Sequence, residues 1–107
     1  MKTRASLLMS ASVLLALTSN AWANMELADK SACLNCHQVE KKMVGPAFND
    51  IAAKYKDRKD AVAYLSEKLI KGSGGVWGPI PMPANTSLKA EDAKALSTWI
   101  MSLPAKK

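Results

Sequence analysis

At 107 residues the chain holds one small domain at most. Its formal charge of +6 comes from basic residues scattered among acidic ones, and aromatic residues make up only 6%, so the dense one-sided cluster and aromatic interleaving of a nucleic-acid-binding stripe are both missing. Two cysteines exclude a multi-disulfide scaffold, and no alternating run of β-branched and aromatic residues argues for a sheet.

The first segment reads as a secretory signal. Lys2 and Arg4 charge its start, residues 7–17 are apolar apart from two serines, and Ala21-Trp22-Ala23 supplies the small-x-small pattern read by a signal peptidase. The apolar run falls short of the roughly 20 residues needed to span a bilayer, which favours a removed signal over 1–23 above a retained N-terminal anchor. Cleavage after Ala23 leaves 84 of the 107 residues, as a domain over 24–107. The signal carries two of the fifteen basic residues and no acidic ones, so thirteen basic against nine acidic residues leave the mature chain at +4. A domain that short buries only about 60–65% of its unfolded surface. Such domains rely on disulfides, a metal or a large cofactor to complete the core.

Four helical segments follow, without repeats or low-complexity tracts. The first, over 26–35, leads into the Cys33–His37 segment, and a loop over 38–45 carries Lys41 and Lys42. The second, over 47–55, places Phe48, Ile51 and Ala52 on one face in the i, i+3, i+4 pattern of a core stripe. The third starts at Asp60 as N-cap, gathers Val62, Leu65 and Leu69, and stops at Gly72. The glycines and prolines of residues 72–87 forbid regular structure and predict an ordered loop. The last helix, over 90–102, aligns Ala93, Leu96 and Ile100 with Leu103 beyond its end, and Pro104 closes it. The predicted fold class is all-α.

Cys33-Leu34-Asn35-Cys36-His37 is a C-x-x-C-H sequence, the pattern of c-type haem attachment. Two thiols at this spacing reach the two vinyl groups of one haem, and the adjacent imidazole then ligates the iron from the same side. Three rival readings compete. A thioredoxin-like pair belongs in a βαβ context that is missing here. A structural disulfide leaves His37 unexplained, and zinc normally takes four ligands where this segment offers three. An export signal before an all-α chain of this size favours haem.

His37 is the chain's one histidine, so a second axial ligand falls to methionine, the Met/His arrangement of electron-transfer haems. Met25 precedes the first helix, Met101 lies within the last, and Met43 is only six residues from His37. Met82 stands in Pro79-Ile80-Pro81-Met82-Pro83, where prolines on both sides fix φ and stiffen the loop. It is the predicted ligand.

The Cys33–His37 motif, Val44-Gly45-Pro46-Ala47, the stretch from Gly75 to Asn85 (GVWGPIPMPAN) and the final-helix Trp99-Ile100 together resemble the small bacterial class I cytochromes c of the c-551/c-552 type. The resemblance covers 24–103. It implies a class I cytochrome c fold of about four helices around one covalently bound haem c, His37/Met82 ligation, and electron shuttling between periplasmic redox proteins. It also implies that the Pro46 carbonyl accepts from His37 Nδ1 and that the Trp77 indole donates to a haem propionate. Asn85 would donate to the Met82 sulfur, and Lys68 would lie on the propionate side. One departure is a slightly longer Thr86-Ser87-Leu88-Lys89 segment before the last helix.

The resulting expectation is a monomeric, diffusible electron carrier of the periplasm and not an enzyme. Its donor would be a quinol-oxidising complex or similar protein, and its acceptor a nitrite reductase, peroxidase or terminal oxidase. The alternatives are a haem peroxidase or gas sensor with a labile sixth ligand, and a membrane-tethered cytochrome subunit of an oxidase or reductase.

Overall fold

The structure is a computed structural model and describes residues 20–105. The charged and apolar parts of the signal read in residues 1–23 lie outside the described residues. Four α-helices, α1 (Asn20–Lys30), α2 (Phe48–Tyr55), α3 (Ala61–Lys71) and α4 (Ala90–Ser102), follow one another, with a 3-10 turn at Cys33–Asn35. Among the described residues there is no strand, only an isolated antiparallel bridge between Ser73 and Met82. No helix among them is long and apolar enough to cross a membrane.

The first helix ends earlier than the sequence predicts. Ala32 adopts φ 62°, a left-handed conformation that an α-helix cannot continue through. Its N–H turns back to the Asp29 carbonyl at 3.0 Å, and Ser31 N–H bonds Leu27 O at 2.9 Å. The chain then rewinds as the tight Cys33–Asn35 turn, with His37 N–H donating to Cys33 O at 2.9 Å. The two cysteines therefore sit on a short turn after the helix instead of on its last regular turn.

The remaining helices agree with their periodicity. Ala47 is extended, so α2 begins at Phe48, one residue later than predicted, and it buries Phe48, Ile51, Ala52 and Tyr55. Asp60 occupies the N-cap position of α3 without capping it, because its carboxylate is engaged by Arg58, with Nε to Oδ1 at 2.6 Å. The buried stripe of α3 is Ala61, Leu65 and Leu69, while Val62 is only half-buried. α4 is the central element: α1, α2 and α3 each pack on it, most extensively α3. Its inner face presents Ala93, Leu96, Ser97, Trp99 and Ile100. Trp99 meets Phe48 of α2 edge-on at 5.5 Å between ring centroids, and buried Ser97 accepts from Ser66 of α3 at 3.2 Å. Residues of all four helices and of the loops between them surround a hollow that no helix fills.

Candidate functional site

That hollow has a volume of about 1040 Å³, at the top of the roughly 300–1,000 Å³ range of small-molecule pockets. Cys33, Cys36, His37, Pro46, Lys68, Trp77, Met82 and Asn85 all line it, so every site residue predicted from sequence converges on one cavity. Leu65, Leu69, Leu96 and Ile100 supply apolar wall from α3 and α4.

The geometry is tightest at His37. The ring is buried, stacks on Phe48 at 5.1 Å between centroids, and places Nδ1 2.7 Å from the Pro46 carbonyl. A carbonyl only accepts, so Nδ1 carries the proton and donates it; Nε2 is left with its lone pair available to a metal. Gly45 makes this possible by lacking a side chain, since a Cβ there would lie 2.5 Å from the His37 Cε1 atom. Its N–H also bonds Cys36 O at 2.8 Å, which ties the loop over 38–47 back to the cysteine turn. Cys33 and Cys36 are free, half-buried thiols. Burial pushes the Cys33 thiol above its ordinary range, a nearby Cys36 adds to the rise, and a backbone hydrogen bond opposes it.

Met82 is half-buried and packs against the core. Its loop is closed at the base by two hydrogen bonds, Ser73 N–H to Met82 O at 3.0 Å and Met82 N–H to Ser73 O at 2.7 Å. Asn85 Nδ2 donates one of its two hydrogens to the Ser31 carbonyl at 3.2 Å, linking the Met82 loop to the residues just before Cys33. Trp77 packs edge-on to Tyr55 at 6.5 Å, with Lys54 Nζ 5.3 Å from its ring centroid. The Tyr55 phenol is raised above its usual value first by burial and then by the Tyr64 hydroxyl, against a lowering hydrogen bond from Trp77. The Trp77 indole thus meets Tyr55 in this structure. Lys68 Nζ sits 5.2 Å from the Tyr64 ring centroid, and Arg58 covers that ring at 3.7 Å.

Residues that the sequence reading missed include Gly45, Tyr55 and Tyr64. Gly45 sits beside Pro46 with no positive φ, and only its neighbours in space reveal its role. Tyr55 completes the stripe of α2 seven residues after Phe48, a signal that was available. Among the described residues no cluster of three or more His, Cys, Asp or Glu side chains could hold a metal ion. The donor set is instead two thiols, one imidazole with a free Nε2 and one thioether around a large, partly apolar cavity. It fits a flat macrocycle that brings its own equatorial nitrogens.

Comparison with known proteins gives the same answer. The cytochrome c family model matches residues 25–104. The chain is 57% identical over 83 residues to cytochrome c-552 of Nitrosomonas europaea, covering 78% of this chain and 81% of that protein. It is 48% identical over 87 residues to cytochrome c-552 of Hydrogenobacter thermophilus, covering 81% of this chain and 88% of that one. The crystal structure of wild-type Nitrosomonas europaea cytochrome c552 aligns with a TM-score of 0.73, over 74% of this chain and 98% of that chain.

Proposed function

The chain belongs to the cytochrome c family, among the small class I proteins of the c-551/c-552 type that carry one covalently bound haem c, and from that premise we propose that it is a periplasmic electron carrier with His37/Met82 ligation. The observation that carries the reading is the convergence of Cys33, Cys36, His37 and Met82 on one cavity, although His37 and Met82 are 45 residues apart.

Bound haem supplies a one-electron ferric/ferrous couple. The protein does the rest. Cys33 and Cys36 anchor the group through thioethers, and His37 offers Nε2 with its ring fixed by Pro46 and Phe48. Met82 would offer its sulfur from a loop closed at its base, and with His37 and Met82 both holding the iron no ligand position would be left for a substrate. A peroxidase or gas sensor would need an open position and a distal acid–base group, and His37 is the chain's one histidine. Trp77 and Lys68 line the cavity as polar groups able to receive propionates after modest side-chain movement.

Redox partners dock where the cavity opens. Met43, Val44, Val76, Trp77 and Ile80 are exposed large apolar residues, and all five line that cavity. Exposed Lys41 and Lys42 immediately precede Met43 in sequence and favour encounter with acidic partners. A transient contact of this kind buries less than about 1,200 Å². It suits a monomer that receives electrons from a quinol-oxidising complex and delivers them to a nitrite reductase, peroxidase or terminal oxidase. The export signal directs it to the periplasm.

Optical and magnetic spectra of the holoprotein and of Met82→Ala test the reading. The expected result is a low-spin His/Met spectrum that is lost in the variant, with carbon monoxide and cyanide then binding readily. An unchanged spectrum in Met82→Ala excludes this ligand, and ready binding by the unmutated protein favours an enzyme or sensor.

A further inference from the structure

Gly72 ends α3 with φ 84° and ψ 175°, a backbone region that side-chain-bearing residues essentially never occupy. A helix ending alone would account for that. The surroundings add something different: a Cβ at Gly72 would lie 2.8 Å from the Met82 carbonyl oxygen, 2.9 Å from the Ala84 nitrogen and 3.3 Å from the Pro83 carbonyl carbon. All three neighbours are main-chain atoms of the segment that carries Met82, and main chain cannot swing aside as a side-chain tip can.

The hydrogen bonds around this contact run the same way. Ser73, the next residue, exchanges two bonds with Met82, and the Leu69 carbonyl in the last turn of α3 accepts from Asn85 N–H at 3.1 Å. Gly72 lies in the chain between these two anchor points, Leu69 and Ser73.

We propose that Gly72 is a positioning residue for the Met82 sulfur: its bare Cα lets residues 82–84 seat against the end of α3, and that seat holds the thioether on the iron. The proposal rests on the Met82 ligand reading. It distinguishes Gly72 from Gly78, which also has a positive φ of 121° but would present a Cβ to no atom within 4 Å. Both alanine variants strain the backbone; only that at position 72 displaces the ligand loop.

The test uses holoprotein of Gly72→Ala, Gly78→Ala, Met82→Ala and the Gly72→Ala/Met82→Ala double variant. The readouts are the sulfur-to-iron charge-transfer band and the cyanide affinity of the ferric protein. An external ligand binds only the fraction of iron that Met82 leaves open, so a tenfold larger open fraction gives about a tenfold lower apparent Kd. Gly72→Ala is expected to weaken the band and tighten cyanide binding about tenfold by this relation. Gly78→Ala should leave both unchanged, and Gly72→Ala should add nothing once Met82 is alanine.

Equal effects of Gly72→Ala and Gly78→Ala, or no effect of the former, overturn the proposal. If Gly72→Ala alone yields no holoprotein, the double variant decides. Maturation to the level of Met82→Ala supports action through the sulfur, whereas failure beside a maturing Met82→Ala marks a general folding residue and refutes it. A charge-transfer band that survives in Met82→Ala is a separate outcome: the ligand reading itself then fails, and the role of Gly72 with it.

Discussion

His37 shows how few contacts are needed to orient an imidazole. The Pro46 carbonyl fixes the tautomer, the Phe48 ring fixes the plane, and Gly45 leaves the room that the imidazole occupies. At the far end of α2, Tyr55 is a second side chain set by its surroundings. Burial, reinforced by the Tyr64 hydroxyl, raises its phenol above the ordinary 10.0. A folded-state value above the unfolded one means that the associated stability is complete below about pH 10 and is lost as pH climbs through the folded value. Thermal melts of the holoprotein across the alkaline range should therefore fall more steeply for the native sequence than for Tyr55→Phe. Parallel curves would show that Tyr55 titrates as it does in the unfolded chain.

Elements carry the next level of control. The turn between α1 and the cysteines depends on Ala32 in a left-handed conformation, which costs a residue with a Cβ roughly 1–2 kcal/mol. Glycine accepts that conformation freely but loses more freedom on folding. Ala32→Gly is accordingly expected to stabilise the holoprotein by about 1 kcal/mol, or about 4–8 °C in Tm for a domain of this size. A lower Tm would mean that the Ala32 methyl contributes packing that outweighs the strain. The start of α3 has the opposite character. Asp60 has the residue type and place of an N-cap, yet Arg58 holds its carboxylate and lowers its pKa, so the helix begins without that cap.

For the whole molecule, the arrangement of helices explains why a cofactor is needed. α1, α2 and α3 find their common support on α4, and all four helices together with the loops after Cys33 and Gly72 line the cavity of about 1040 Å³. A cavity of that size, open to solvent, denies the side chains around it the close packing of a protein interior. Covalent attachment through Cys33 and Cys36 makes the filler part of the chain. A Cys33→Ala/Cys36→Ala variant prepared without haem should lack a cooperative thermal transition in circular dichroism, while the native holoprotein melts sharply. A sharp melt of the haem-free variant would show that the helices close a core by themselves.

Much of this was legible in the chain itself, and for a local reason. The C-x-x-C-H motif spans five consecutive residues, and the stripes of α2, α3 and α4 repeat within one or two turns, so neighbours in sequence are neighbours in space. The proline frame around Met82, the proposed ligand, was legible on the same basis, because proline acts on the backbone of its own segment. Contacts between distant segments were not. That Asn85 would reach Ser31, that Trp77 would meet Tyr55, and that Gly45 and Gly72 would lie against an imidazole and a loop backbone follow from approaches of a few ångströms between separate elements. No local periodicity encodes such approaches. The sequence by itself determined the C-x-x-C-H motif, the helical class and the residue types of the proposed ligands. Only the tertiary structure decided which backbone atoms steady His37 and the Met82 loop, because that depends on how four helices and two loops from separate parts of the chain close around a volume that none of them occupies.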